Sequence, residues 1–305
     1  MSLPSFAVIV PTLNPGQAWP PLLDALKAQA GAAPLLMIDS SSDDGSVEQA
    51  EQRGLRVIRI ARGEFDHGGT RQRAAEAVEA EVLIYLTQDA LPAAPDSLAQ
   101  ILAPFADPQV GAAYGRQLPR PGASVIEAHA RLFNYPARPH RARLADAARM
   151  GLKAPFMSNS FAAYRRSALL AVGGFPRGVI NSEDMHVGAR LLRAGWTVAY
   201  AAQATVYHSH RYSPWQDFQR NFDVGVFHAR EPWIRESFGG AAGEGFRFVR
   251  SELAHLWREA PLRIPEALLR STAKLLAWRL GLLEARLPPA LKRRLSMQKH
   301  YWRGA

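Results

Sequence analysis

Three acids and two histidines occupy positions from which a chain can do chemistry. Asp39 closes an apolar run and precedes the cluster Ser40-Ser41-Ser42-Asp43-Asp44-Gly45. An ionised side chain at the end of a buried strand needs a partner, and this carboxylate suits a nucleobase imide or a ribose hydroxyl. Asp43 and Asp44, at the opening of the next helix, read as caps, Asp44 foremost. Asp89 follows a later apolar run, in Tyr85-Leu86-Thr87-Gln88-Asp89. One carboxylate is a weak metal site until other ligands converge on it, and His208 and His210, closing a further strand, are the candidates. Glu183-Asp184 opens a helical stretch. A carboxylate there either caps the helix, worth about 0.3–1 kcal/mol through the dipole, or stands as a general base beside a substrate hydroxyl. The turn Phe65-Asp66-His67-Gly68-Gly69-Thr70-Arg71 leads into a helix and carries a cation; its backbone N–H groups together with Arg71 suit a diphosphate. Neither Gly-Lys-Ser/Thr nor a GxGxxG fingerprint occurs, so ATPase and dehydrogenase chemistry lose their main support.

The elements that must position these residues alternate along the first 120. Runs rich in Val, Ile and Leu at 6–11, 35–38, 55–60 and 82–87 read as strands buried on both faces. Helical patterns at 20–30, 46–53 and 70–80 separate them. Such units predict a doubly wound α/β sheet, with ligands at the carboxyl ends of its strands. From 111 to 176 the pattern is less regular, broken by Pro119, Pro121, Pro136, Pro139 and Pro155. A strand at 160–164, a helix at 183–194, a strand at 197–207 and a helix at 213–230 follow.

Composition narrows the chemistry further. The 305 residues include no cysteine, which excludes disulfides, zinc fingers, iron–sulfur clusters and thiol nucleophiles, and makes a hard cation held by Asp, Glu, His or water the default. Hydrophobic residues make up 48% of the chain, enough for a sizeable core. Of the net charge of +10, residues 246–305 carry +9, so a near-neutral body is followed by a basic tail. The tail also holds Trp257, Trp278, Tyr301, Trp302 and a leucine stripe, Leu269, Leu276, Leu280, Leu283 and Leu287, at helical spacing. Arg270, Lys274, Arg279 and Arg286 interrupt it, which disfavours a spanning helix. Two readings stay open: a helix on an anionic membrane surface, or one docked on the body. No nucleic-acid motif accompanies the charge. The N-terminus lacks a basic leader region and reads as a first strand, so a cytoplasmic location is expected.

The runs Val8-Ile9-Val10-Pro11-Thr12-Leu13-Asn14, Ile38-Asp39-Ser40-Ser41-Ser42-Asp43-Asp44-Gly45-Ser46, Thr87-Gln88-Asp89-Ala90, and Gly173-Gly174-Phe175 followed by Ser182-Glu183-Asp184 keep a telling order and spacing. Over about residues 5–210 the chain resembles the family 2 inverting glycosyltransferases of GT-A fold. The 65–71 turn and the Thr-Gln-Asp-Ala form of the metal motif are similar to bacterial rhamnosyltransferases of O-antigen and related surface glycans.

The resemblance implies a GT-A-type (Rossmann-like), mostly parallel α/β sheet flanked by helices at 1–230, with a basic helical extension at 231–305. It implies that Thr12 and Asp39 meet base and ribose, with Asn14, Arg71, Gln88 and Asp89 also on the nucleotide-sugar donor. Asp89 would coordinate Mg²⁺ or Mn²⁺, His208 ahead of His210 as a further ligand, and Asp184 would be the catalytic base, with Glu183 and Arg190 on the acceptor side. The family's usual Asp-x-Asp is here Thr87-Gln88-Asp89, so its first carboxylate is missing and the donor's phosphates are expected to complete the cation's shell. The implied reaction is transfer of a sugar, L-rhamnose from dTDP-β-L-rhamnose foremost, to a polyprenyl-diphosphate-linked saccharide at the inner face of the cell membrane. A UDP- or GDP-sugar donor, or a non-catalytic nucleotide- or glycolipid-binding module, is the alternative. A nucleotidyltransferase is disfavoured because 11–17 lacks a Gly-rich basic loop. No nucleic-acid partner is expected, and homo-oligomerisation is left open.

Overall fold

The core of the sheet follows from strands with no polar face. β4 (Val82–Leu86) is buried at all five positions, and in β1 (Phe6–Thr12) Ala7 and Ile9 enter one hydrophobic cluster while Val8 and Val10 enter the other. Strands of this kind require cover on both sides. Helices Trp19–Ala30, Ser46–Gln52 and Ser97–Leu102 supply it on one face; His67–Glu76, Arg166–Ala171, Glu183–Arg193 and Pro214–Arg230 supply it on the other. The computed structural model describes residues 4–240 and 243–303, so the outermost ends of the two expected units lie outside it.

With β2 (Leu35–Asp39), β3 (Arg56–Arg59), β5 (Leu91–Pro92), β6 (Val110–Leu118), β7 (His140–Ala142), β8 (Phe161–Arg165) and β9 (Thr197–Tyr207), the sheet runs β3-β2-β1-β4-β8-β6-β9-β5, and β7 also pairs with β9. β1, β2, β3, β4, β6 and β9 point one way. β5, β7 and β8 oppose them. The reversal of β8 places its start, rather than its end, at the edge where the parallel strands finish. Expected elements recur with ends moved by at most four residues, most in the helix expected at 70–80, which runs His67–Glu76, and β9 spans the expected range. The stretch with the less regular pattern adds elements not expected from sequence, β6 and the helix Val125–Asn134, which Ser124 and Glu127 open with a capping box.

The basic tail packs on the body. Helix Ile264–Leu282 crosses Pro214–Arg230 at Gly225 and Gly281, where a Cβ would stand 2.3 Å from the Trp278 carbonyl and 2.2 Å from the Phe222 carbonyl respectively. Only glycine permits backbones this close. Arg270 and Asp217 (2.7 Å), Arg230 and Glu284 (2.9 Å), and the Met297 N–H donating to Asp223 (2.9 Å) tie the tail further to helix Pro214–Arg230. The leucine stripe is divided: Leu280 and Leu287 pack on the core, while Leu269, Leu276 and Leu283 stay exposed. Among the described residues no helix is long and apolar enough to cross a membrane.

Candidate active site

At the β1–β2 end, Asp39 and Thr12 are buried side by side, with Thr12 Oγ1 donating to Asp39 Oδ1 at 3.2 Å. Asp39 also accepts from the Ser42 N–H (2.9 Å) and the Ser42 hydroxyl (2.5 Å). Asn14 exchanges hydrogen bonds with Asp43 across the gap, at 2.8 and 2.9 Å. Asn14 and Ser41 hold left-handed φ of 46° and 65°, conformations that non-glycine residues adopt at a price and that cluster at binding sites. Gln88 is spent on backbone: its Oε1 accepts from the Leu13 N–H (2.7 Å) and its Nε2 donates to the Leu13 carbonyl (3.0 Å). It fixes the β1 loop against the Asp89 loop. The expected Asp44 cap sits one residue early. Gly45 is the N-cap, and Asp44 accepts from Ser46 and Gly16 N–H groups instead.

The topology also gathers the metal candidates. Asp89 follows β4 and the histidines follow β9, and donor atoms of Asp89, His208 and His210 lie within 4.8 Å of one another. Burial would raise Asp89, yet His208 and His210 hold its carboxyl far below the usual range. Burial lowers both histidines, His210 to about 4, against the pull of Asp89 on each, and so favours the neutral imidazole that ligates metals. Gln117 then fixes which nitrogen is free. Its Nε2 donates to Ser158 (2.8 Å) and its Oε1 accepts from Arg131 (2.5 Å), so the Oε1 facing His208 Nδ1 at 2.9 Å must accept a proton there too. That leaves the His208 Nε2 lone pair pointing at Asp89 Oδ1 across 3.4 Å. In the neutral imidazole that lone pair faces a carboxylate oxygen, a repulsion that a shared proton or a bound cation relieves.

Asp184 reaches the same edge through β8. Its Oδ2 accepts from the Asn159 N–H at 3.0 Å, and Asn159 lies just before β8, whose neighbour Ser160 accepts from the Thr87 N–H. Asp89, His208, Gln117 and Ser158 thus form a contact chain whose next residue, Asn159, holds Asp184. Burial, then the charge of Glu183, push Asp184 up to about 7. Ser182, the preceding N-cap, takes a left-handed φ of 59° and makes no side-chain cap, while Asp184 in the first turn accepts from the Met185 N–H at 2.8 Å.

The remaining candidates face inward. Glu183 is buried, accepts from Asn159 Nδ2 (2.9 Å) and lies 3.1 Å from Arg71 Nη1. Burial opposes its charge, but Arg71 and His67 outweigh that and keep it below the usual carboxylate range. Arg71, 5% exposed, therefore balances Glu183 inside the body, whereas the expectation put it on an open diphosphate site. Its turn packs on 176–178, where Asp66 accepts from the Gly178 N–H (2.8 Å). Arg190 is not brought to the edge: it donates to His186 Nδ1 (3.0 Å) and the Val172 carbonyl (2.7 Å). Sequence reasoning passed over Gln117, Asn159 and Arg120, whose guanidinium donates to the Asp89 carbonyl and lies 3.7 Å from its carboxylate. The Pro-Arg-Pro setting of Arg120 was its one visible signal.

Comparison with known proteins agrees with this geometry. A model of the glycosyltransferase-like family 2 matches residues 4–223. The chain is 47% identical over 298 residues to the O-antigen chain rhamnosyltransferase RfbN of Salmonella typhimurium, covering 97% of this chain and 95% of that one. It is 48% identical over 303 residues to the O-antigen chain rhamnosyltransferase WbaN of Salmonella anatum, covering 98% and 96%. Among solved structures, a mannosyltransferase of Pyrobaculum calidifontis in complex with GDP-Man and Mn²⁺ shares the fold at TM-score 0.58 and 22% identity, over 99% of this chain and 86% of that one. TarS of S. aureus with UDP-GlcNAc does so at 0.54 and 15%, over 92% and 91%. A sheet that brings acids and histidines to one edge, a family match over most of the chain, and relatives near half identity lead to one conclusion: this chain is a glycosyltransferase and belongs to glycosyltransferase-like family 2.

Proposed function

We propose that the chain is an inverting rhamnosyltransferase that moves L-rhamnose from dTDP-β-L-rhamnose to a polyprenyl-diphosphate-linked saccharide. The observation that carries the catalytic part is Asp184, a carboxyl poised at about 7 and linked through Asn159, Gln117 and His208 to Asp89. The relatives' names support the sugar and the O-antigen setting.

In this reading Thr12 and Asp39 receive base and ribose in a loop that Asn14 and Gln88 hold in shape. A divalent cation, Mg²⁺ or Mn²⁺, held by Asp89, His208 and His210, supplies positive charge beside the donor diphosphate. Asp184 takes the proton of the acceptor hydroxyl as that oxygen attacks the anomeric carbon. The new C–O bond forms as the bond to the diphosphate breaks on the opposite face, so configuration inverts and the product is an α-L-rhamnoside. Glu183 keeps Asp184 basic, and Arg71 balances Glu183.

The test is a panel of dTDP-, UDP- and GDP-sugars scored for cation-dependent thermal stabilisation and for transfer to a lipid-linked acceptor. Stabilisation and turnover should peak with dTDP-rhamnose. A peak with a UDP- or GDP-sugar would overturn the donor.

We also propose that the tail rests on an anionic membrane. Leu262, Leu269, Leu276 and Leu283 recur every seven residues and are 95, 65, 54 and 46% exposed, with Trp257 and Phe246 exposed nearby among arginines. Leu269→Glu with Leu276→Glu should abolish co-sedimentation with phosphatidylglycerol vesicles. Unchanged sedimentation would remove the membrane surface from the reading.

A further inference from the structure

A cleft of about 630 Å³ opens beside His210, walled by one face of helix Val125–Asn134 along its length, the first two turns of Pro214–Arg230 and the tail helices Glu244–Glu259 and Ile264–Leu282. His210 faces Asp89 and also lines this cleft, so the cleft adjoins the candidate cation site. It lies beyond β9, on the opposite side of that site from Asp39 and β2. A nucleotide reaching from Asp39 to Asp89 does not enter it.

The cationic groups in its walls divide into two kinds. Arg263, Arg270 and Lys274 are already paired: Arg263 and Arg270 with Glu266 (2.6 and 2.9 Å), and Arg270 and Lys274 with Asp217 (2.7 and 3.7 Å). These bind the tail to the body. Arg131, Arg211 and Arg220 have no carboxylate within 4 Å among the described residues, although Asp223 feels the charge of Arg220. Arg220 lies over the Tyr212 ring, and Arg131 donates to Gln117 while its buried Nε lacks an acceptor. The N-terminus of Pro214–Arg230 adds the positive end of its dipole, partly offset by Asp217 in its first turn; helix Val125–Asn134 lines the cleft with both its ends. Unpaired guanidinium groups around a polar cleft favour a multiply charged oxyanion, which they grip through several N–H donors each.

We propose that this cleft is the acceptor's anion subsite, in which Arg131, Arg211 and Arg220 bind the diphosphate of the lipid carrier. The inference rests on the lipid-linked acceptor proposed above and deepens it. The tail helix supports both halves of such a molecule: Arg270 and Lys274 look into the cleft, while their neighbours Leu269 and Leu276 are exposed and give an isoprenyl chain an apolar way out.

The experiment is calorimetric titration of farnesyl diphosphate into the full chain held at saturating dTDP and Mg²⁺, so that the donor side is filled. Binding should persist in wild type, weaken at least tenfold in the Arg211→Ala, Arg220→Ala double variant, and stay unchanged in Arg138→Ala, an exposed arginine outside the cleft. Both cleft arginines are exposed, so their truncation leaves the core alone. Equal affinity in the double variant would overturn the subsite. So would loss of farnesyl diphosphate binding on adding dTDP, which would assign these arginines to the donor. No turnover is read, so a failure of dTDP-rhamnose in the donor panel leaves this measurement independent.

Discussion

Asp39 and Asp184 are both carboxylates enclosed near the same sheet edge, and the fold treats them in opposite ways. Asp39 receives three donors from neutral groups at 2.5, 2.9 and 3.2 Å, all from its own loop or the adjoining strand. Asp184 receives two backbone N–H groups, at 3.0 and 2.8 Å, but shares its surroundings with the charge of Glu183. One end is a preformed cradle whose hydrogen bonds are made before any ligand arrives. The other keeps a carboxylate out of balance, which makes it eager for a proton at neutral pH. Binding favours the first arrangement and proton transfer the second.

The sharpest way to break this contrast is Asp184→Asn, which should lower kcat by roughly a thousandfold, in line with the loss of a general base. Affinity for dTDP should stay within about threefold of wild type, because Asp184 lies outside the Asp39 cradle. Near wild-type turnover would remove Asp184 from the role. The wild-type kcat should climb with pH along a limb near 7, since only the deprotonated carboxylate accepts the proton, and the variant should lack that limb. Stability runs the other way. A carboxyl raised from 3.8 to about 7 in the folded state contributes stability that is full below 3.8 and lost as pH climbs through 7. Melting curves of the variant should lack that decline.

A smaller effect is expected at Gln117, whose carbonyl sets the His208 tautomer. Gln117→Leu should weaken cation-dependent dTDP binding by roughly 10–100-fold, the usual consequence of losing a group that orients a metal-binding histidine. Cation-free nucleotide binding, governed by Asp39, should barely move. Should both titrations fall together, the two ends of the edge are one cooperative unit and the contrast fails.

The same division explains what was legible in the sequence. The strands of the first 90 residues showed because burial on both faces writes an unbroken apolar run, and the acids at their ends showed because a charge there stands out. β6 did not show. Its sequence, VGAAYGRQL, holds two glycines and small residues; a Cβ on Gly115 would meet the Phe161 ring at 2.3 Å and the Ala204 carbonyl at 2.6 Å, so close strand packing erased the usual Val/Ile signature. Asn159 and Gln117 are neutral amides with no spacing to mark them, and their value lies in contacts with β8, β9 and the Asp184 helix that only the fold creates. Arg71 was visible as a cation beside glycines, but its partner Glu183 lies far along the chain. A local motif cannot reveal that a buried acid has already claimed the charge.

The smallest expected change is Ser42→Ala, and it tests the quiet end directly. Ser42 Oγ donates to Asp39 at 2.5 Å and accepts from the Asn14 N–H at 2.8 Å. Removing it takes one of three donors from the carboxylate and leaves an exposed N–H that water satisfies, so the stability cost should be about 1 kcal/mol by thermal or denaturant unfolding. Thr12 and the Ser42 N–H still hold Asp39, so dTDP affinity should fall by less than about fivefold. A preformed cradle loses little when one of several redundant supports goes, because the ligand does not have to organise the loop. If affinity instead collapses by about a hundredfold, the loop around Asp39 is held by that single hydroxyl, and its order is as delicately balanced as the charge on Asp184.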